Sequence, residues 1–277
     1  MIADDPLQRG TPAGSLRYFA VLYAPPAARP LLHALYAFEA EVRDTVRASR
    51  HDIAHTRLQY WRAEVDRVLG GRPGHPVTQA LLPLQAAGAD LSLLHEALVA
   101  ADADLAHLTL DTPAAVDALA YRAAGTIQAL ATVAACLPRA PSPAERDFAR
   151  DLGIALARAE WLRDLRGDIA AGRLRLPLAT LEDAGIDPGS LLRESLPAAL
   201  PPILEAEKSA LRALLAALPG RLSRAERATQ RQGLVLAALH QRLLDQVDHA
   251  RELARTRAEL APWPRLWTAW RTAVRHA

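Results

Sequence analysis

Proline and glycine cut this sequence into stretches in which apolar residues recur at intervals of three and four, and that pattern sets the fold class. Few segments show the period-two alternation or the β-branched and aromatic runs that strands require, whereas Ala, Leu, Arg and Glu dominate. The joints fall at Pro25-Pro26, Gly70-Gly71 with Pro73, Pro113, Pro138 to Pro143, Gly172 to Pro177, Pro188-Gly189, Pro197 to Pro202, Pro219-Gly220 and Pro262. About nine helices are predicted between them. Ser142-Pro143 supplies a cap and a first-turn proline for a helix running to about Ile169, and Arg221 to Leu260 is a long run free of proline. With no linker-like gap and no repeat of 20–50 residues, the expectation is one all-α domain of antiparallel helices over residues 1–277, residues 1–13 forming a flexible N-terminus.

The chain is 51% apolar but only 5% aromatic, so its core must be built from Ala, Leu and Val. Lys+Arg 33 against Asp+Glu 31 gives +2, without the basic excess of a nucleic-acid binder, and no nucleic-acid partner is expected. All but one of the basic residues are arginines, Lys208 being the exception. The single cysteine, Cys136, excludes an internal disulfide and any multi-cysteine metal site and suits a reducing, cytoplasmic compartment. Neither a secretory leader nor a membrane-spanning apolar run is read in the sequence, so a soluble or peripherally bound protein is expected.

Glu160, Asp164 and Asp168 follow one another at steps of four, which stacks three carboxylates along one helix face about 6 Å apart. Like charges in that row repel unless a cation sits opposite. Hard oxygen ligands suit Mg²⁺ bridging to a substrate phosphate; the alternative is a solvated stripe offset by Arg158, Arg163 and Arg166. The row runs into Gly172-Arg173-Leu174-Arg175-Leu176-Pro177, where glycine ends the helix and arginines stand ready for charge-assisted bonds to a diphosphate.

Leu162-Arg163-Asp164, Asp168, Gly172-Arg173 and Leu176-Pro177 together resemble the second aspartate motif of the squalene/phytoene synthase family. Further segments match in order: Ala34 to Phe38, Arg57 to Arg62, His75-Pro76-Val77, Tyr121 with Ala124-Gly125-Thr126, and Leu266-Trp267 with Ala269-Trp270-Arg271, so the likeness spans about Ser15 to Arg271. The resemblance implies the all-α isoprenoid synthase fold, a helical bundle around a central cavity, and head-to-head joining of two farnesyl or geranylgeranyl diphosphates held through Mg²⁺. Asp164, Asp168 and Arg173 fall on the family's positions for this work; beside them, Glu160 is read as a further metal ligand, Asp44 with Asp164 and Asp168 as catalytic carboxylates, and Arg43, Arg47, Tyr36 and Gly125 with Arg173 as substrate contacts. Gly125 costs about 1 kcal/mol relative to Ala inside a helix, which either close helix approach or room for a prenyl chain explains, and the resemblance favours the second.

Where the family carries Asp-Asp-x-x-Asp, this chain has Arg43-Asp44-Thr45-Val46-Arg47. Ala157, Glu160 and Arg175 replace a usual Gln, Asn and Tyr, and Ser15-Leu16-Arg17 stands in an altered serine-phenylalanine element. Arginine offers no acceptor atom to a metal, so one metal cluster is expected to be missing. Arg43 and Arg47 share a face that would look across at Asp164 and Asp168. In an open cavity they bind diphosphate in place of Mg²⁺; in a closed one they pair with the two aspartates. Loss of catalysis is favoured. Val42-Arg43-Asp44 and the Arg57 to Arg62 run also resemble the family's non-synthase branch, the mitochondrial complex I assembly factor, which makes a scaffold role with a protein partner the rival reading.

Other residues are read more plainly. His75 is expected to cap a turn, with phosphate binding as the alternative. His51 and His55, beside Asp52, are spaced for a transition metal but lack a completing glutamate, and Cys136 belongs to the core. Trp263, Trp267 and Trp270 share one face of the last helix near Arg265, Arg271 and Arg275; docking onto the bundle is expected, with contact to the inner face of a membrane as the alternative.

Overall fold

The computed structural model describes residues 5–47, 51–193, 196–247 and 258–276, and among these every regular element is helical. In chain order the helices are α1 (Leu16–Leu22), α2 (Arg29–Val46), α3 (His51–Leu69), α4 (Pro76–Gln79), α5 (Leu82–Ala86), α6 (Leu93–Leu105) and α7 (Pro113–Ala120). They continue with α8 (Thr126–Cys136), α9 (Pro143–Ala170), α10 (Leu178–Asp183), α11 (Leu200–Ala217), α12 (Arg224–Thr229), α13 (Arg231–Gln246) and α14 (Pro262–Arg275). The total exceeds the nine expected because α4, α5, α10 and α12 are one- or two-turn pieces that periodicity cannot resolve.

The breakers act where the sequence puts them. Ser142 opens α9 with a reciprocal capping box, its hydroxyl accepting from the Glu145 N–H while the Glu145 carboxylate accepts from the Ser142 N–H. The proline-free run is divided between α12 and α13 at Gln230, and residues 248–257 lie outside the described set. A π turn, Tyr121–Gly125, links α7 to α8, and here α9 comes closest: a Cβ on Gly153 would lie 2.4 Å from the Gly125 Cα. Gly125 therefore serves helix approach. A Cβ on Gly125 itself would meet the Tyr121 ring at 2.4 Å, and Gly125 is not in the lining of either cavity described below, so nothing in this packing speaks for the reading that it makes room for a prenyl chain.

The bundle is organised around α2 and α9. Leu32, Leu35, Tyr36 and Phe38 of α2 are fully buried among α3, α6 and α8, and Phe38 meets Trp61 edge-on with ring centroids 5.5 Å apart. Phe148, Leu152, Ala155 and Ala159 bury the opposite face of α9 against α8, α11 and α13. Each buried Leu or Phe contributes about 1.5–3 kcal/mol, so small and branched residues suffice where aromatics are scarce.

Two terminal expectations need correction. Residues 5–13 are not loose: Asp5 caps a 3₁₀ turn at Pro6–Gln8, and buried Thr11 shares a 2.6 Å hydrogen bond with His33 Nδ1 of α2. At the other end α14 does dock, but through alanine. Ala269 and Ala273 face α13 and α1, whereas Trp263, Trp267 and Trp270 are 78%, 58% and 46% exposed.

Candidate functional site

Between α2, α6, the π turn and α9 lies a cavity of about 110 Å³ lined by both apolar and charged residues. Val42, Val46, Ala97, Ala101, Ala124 and Trp161 contribute apolar wall; Arg43, Arg47, Asp164, Asp168, Arg173 and Arg175 contribute charge. A second, outer cavity of about 320 Å³ opens beside it, lined by Arg17, Tyr36, Asp44, Arg163, Leu260 and Arg265 among others. Glu39, Arg43, Arg47 and Glu160 line both.

What stands between the cavities is an ion network. Arg17, projected from α1 after its Ser15 cap, donates to both oxygens of Glu39 on α2 at 2.6 and 3.0 Å and to Glu160 on α9 at 3.1 Å. Arg43, one turn after Glu39, donates to Glu39 at 2.8 Å and lies 3.5 Å from Glu160. His240 Nε2 of α13 also approaches Glu160 at 3.5 Å, while its Nδ1 faces the Leu236 carbonyl. Burial opposes charge on Glu160, yet Arg17 and then Arg43 outweigh it and hold the carboxyl well below the usual carboxylate range. Burial likewise works to lower the Arg17 pKa, and Glu39 and Glu160 more than offset it, so Arg17 is held above its ordinary value. Two guanidinium groups and two carboxylates thus neutralise one another across α1, α2 and α9.

A second cluster closes the far end. The helix α9 ends at Gly172, which adopts φ +77°, and the Arg173 N–H donates back to the Asp168 carbonyl at 2.8 Å while Gly172 N–H donates to Ile169 at 2.9 Å. That reversal folds the Arg173 guanidinium onto the Asp168 side chain at 2.9 Å. Arg175 bridges the other Asp168 oxygen and Asp104 of α6, the latter at 2.7 Å, and its guanidinium carbon lies 4.8 Å from the Trp161 ring centre. Burial pushes the Asp104 carboxyl up, against the pull of Arg175. Arg175 Nε is buried without an acceptor among the described residues.

The sequence-chosen residues do gather here, with different partners from those expected. Arg43, Arg47, Glu160, Asp164, Asp168 and Arg173 line one cavity. Arg43, however, pairs with Glu39 and Glu160 and not with Asp164 or Asp168. The reason is proximity: Glu39 is one turn back on the same helix, and Glu160 is the member of the acidic row opposite it, while Asp168 is already taken by Arg173 and Arg175. Asp44 is exposed on the outer cavity, with no ion pair among the described residues. Tyr36 is buried, its hydroxyl donating to Gln232 at 3.3 Å and accepting from Gln128 at 3.4 Å, and burial pushes that hydroxyl up to about 12.

The acidic row does not fit Mg²⁺ as arranged. Asp164 accepts from Arg163 on both oxygens at 2.8 Å, Asp168 accepts from Arg173 on one and Arg175 on the other, and Glu160 faces Arg17 and Arg43. Among the described residues no three His, Cys, Asp or Glu side chains converge as a metal site. The donor set is an arginine receptor.

Sequence reasoning missed Glu39 and Asp104, the acidic partners that α2 and α6 supply. An acidic residue directly after the apolar run Ala34 to Phe38, on the buried side of its helix, was the available signal for Glu39. The remaining residues read at sequence level fall on their simpler roles. His75 caps α4, its Nδ1 accepting from the Val77 N–H at 3.2 Å. His51 and His55 are exposed with Nε2 atoms 2.9 Å apart. Burial, aided by Glu145, pushes the Cys136 thiol up to about 12, as suits a core residue.

Comparison with solved structures returns the same architecture. A dehydrosqualene synthase crystallised with a ligand is similar with TM-score 0.76 and 17% identity, over 94% of this chain and 90% of that one. Squalene synthase HpnC from Alicyclobacillus acidocaldarius gives 0.62 and 21%, over 86% and 93%; YisP from Bacillus subtilis subsp. subtilis strain 168 gives 0.65 and 14%, over 96% and 94%. At such identities the likeness is one of fold. No curated protein sequence matches significantly. The squalene/phytoene synthase family profile matches residues 12–267, almost the whole bundle and both halves of the charged cavity, and the chain belongs to that family.

Proposed function

We propose that this chain binds a prenyl diphosphate, gripping the charged head with guanidinium groups in place of a two-sided magnesium cradle, and that it does not join two such molecules. The observation that carries this reading is the lining of the inner cavity: apolar walls of Val42, Val46, Ala97 and Trp161 share it with the guanidinium-bearing residues Arg43, Arg47, Arg173 and Arg175. An apolar tail with an anionic head is the ligand shape such a lining complements. Head-to-head transfer requires the departing diphosphate to be neutralised by groups left free to follow it. Here Arg43, Arg173 and Arg175 are each held by carboxylates, and the row Glu160, Asp164 and Asp168 faces arginine at every step. An inner volume of about 110 Å³ lies below the ~300–1,000 Å³ of ordinary ligand sites, so a whole prenyl diphosphate needs both cavities and a shift of the network between them.

That same self-sufficiency favours a second reading, a non-catalytic scaffold whose cavity is locked by its own charges. The two are separated by calorimetric titration with farnesyl and geranylgeranyl diphosphate, in EDTA and in Mg²⁺. The ligand reading expects binding in EDTA that Mg²⁺ changes less than about threefold and that Arg47→Gln weakens about tenfold, the loss of one charge-assisted contact. No binding in either buffer leaves the scaffold. Diphosphate release in Mg²⁺ that disappears in Asp164→Ala would overturn both.

A further inference from the structure

The exposed face of α14 is the largest concentration of apolar side chains on the described surface that no element of the bundle covers. Trp263, Leu266, Trp267, Trp270 and Val274 recur at steps of three and four and are each 40% exposed or more. Trp267 and Trp270 stack on one another with centroids 5.1 Å apart, so the stripe is continuous. The helix is anchored from behind by Ala269 and Ala273, small enough to let it lie flat on α13 and α1 with its large residues outward. Its charge is one-sided: Arg265, Arg271 and Arg275 are its only ionisable residues, and none is acidic. Arg265 is engaged with the Gly14 carbonyl at 2.9 Å, but Arg271 and Arg275 are exposed, lie along one margin of the tryptophan stripe, and make no ion pair among the described residues. No described helix is long and apolar enough to cross a membrane.

We infer that α14 is an interfacial anchor that seats this protein on an anionic phospholipid bilayer, tryptophans in the headgroup layer and Arg271 and Arg275 against lipid phosphates. The composition selects this occupant. Tryptophan favours the boundary between hydrocarbon and headgroups, whereas a helix-packing face is richer in Leu and Ile, and two unpaired arginines beside the stripe complement acidic lipid but would repel their own copies in a symmetric dimer. The outer cavity reaches only the docked side at the start of this helix, through Leu260 and Arg265, and none of the stripe residues lines it.

Flotation of the full chain with vesicles of phosphatidylcholine alone and of phosphatidylcholine mixed with phosphatidylglycerol tests the anchor without any prenyl ligand, so its failure leaves the cavity reading untouched. Binding is expected on the mixed vesicles, with a blue shift of tryptophan fluorescence. Arg271→Gln with Arg275→Gln should weaken it about thirtyfold, at about 1 kcal/mol per arginine. Trp267→Ser with Trp270→Ser should abolish it while circular dichroism and melting stay unchanged, since both side chains are exposed. Failure of the unaltered protein to float, or equal flotation of the tryptophan variant, overturns the inference. So does a dimer in sedimentation velocity, without vesicles, that the same tryptophan changes dissolve.

Discussion

Replacing Glu160 by Gln removes one of two carboxylates from a network that holds two guanidinium groups, and leaves a net positive charge where Arg17 is 14% exposed and Glu160 15%. Charges 3.1 to 3.5 Å apart attract by about 5 kcal/mol each at an effective dielectric of about 20. Much of that repays desolvation, and Arg17 keeps its two bonds to Glu39. The net loss is therefore expected below the ~3–5 kcal/mol of a fully orphaned buried charge, at about 2–4 kcal/mol. In a chain of this size that lowers the melting midpoint by roughly 5–10 °C. Adding Arg43→Gln restores neutrality, so the double variant should be more stable than the sum of its parts by about 1–2 kcal/mol in urea denaturation. The pH dependence has a fixed sign. The folded Glu160 pKa is well below 4.5, so its contribution is complete above about pH 4.5 and is lost as pH falls from there toward the folded value. Wild type must lose more stability than Glu160→Gln over that window. A single variant within about 0.5 kcal/mol of wild type, or an additive cycle, refutes the network as a stabilising unit.

Two other substitutions address the frame around the site. Gly153→Ala puts its Cβ 2.4 Å from the Gly125 backbone and should cost about 3 kcal/mol by chemical denaturation, more than Gly125→Ala, which meets the side chain of Tyr121 and can displace it. Glu145→Gln should destabilise by about 2–3 kcal/mol at neutral pH, because that buried carboxylate accepts from Arg139 at 2.6 and 2.7 Å and from the Ser142 N–H. Burial raises the Glu145 pKa, but Arg139 and Ser142 more than offset it and bring it to about 2. Its contribution should be lost between about pH 4.5 and pH 2, and melting curves in that range measure it.

Elements that announce themselves locally were legible. Ser142-Pro143 marked the start of α9 and Gly172 its end, because caps and positive-φ positions need particular residues. The row Glu160, Asp164, Asp168 could be laid on one face because helix periodicity is rigid. Partners across the bundle were not legible. Arg175 finds Asp104 71 residues away, and Gly125 finds Gly153, through the packing of separate helices, which no spacing along one helix encodes. Glu39 escaped because periodicity reports that a position is buried without saying which charge will meet it there. The tryptophan face of α14 was read correctly as a face, but its direction depended on Ala269 and Ala273, whose small size lets the opposite side dock more closely.

The positions read in the sequence as departures from the family motif fall into few physical groups. Arg17, Arg43 and Glu160, read separately along the chain, are three corners of one network, with Glu39 the fourth. Arg175, a further departure, ties Asp168 to Asp104 in a second one. Electrostatics explains the grouping: an arginine placed alone beside a low-dielectric cavity is costly, and so is a lone carboxylate in the position of Glu160, but introduced together they cancel. An anion entering this cavity must therefore compete with carboxylates already bound, one exchange for each arginine it recruits. Such a site favours a ligand with several oxygens and an apolar tail whose burial offsets the exchange, over a free phosphate that brings charge alone.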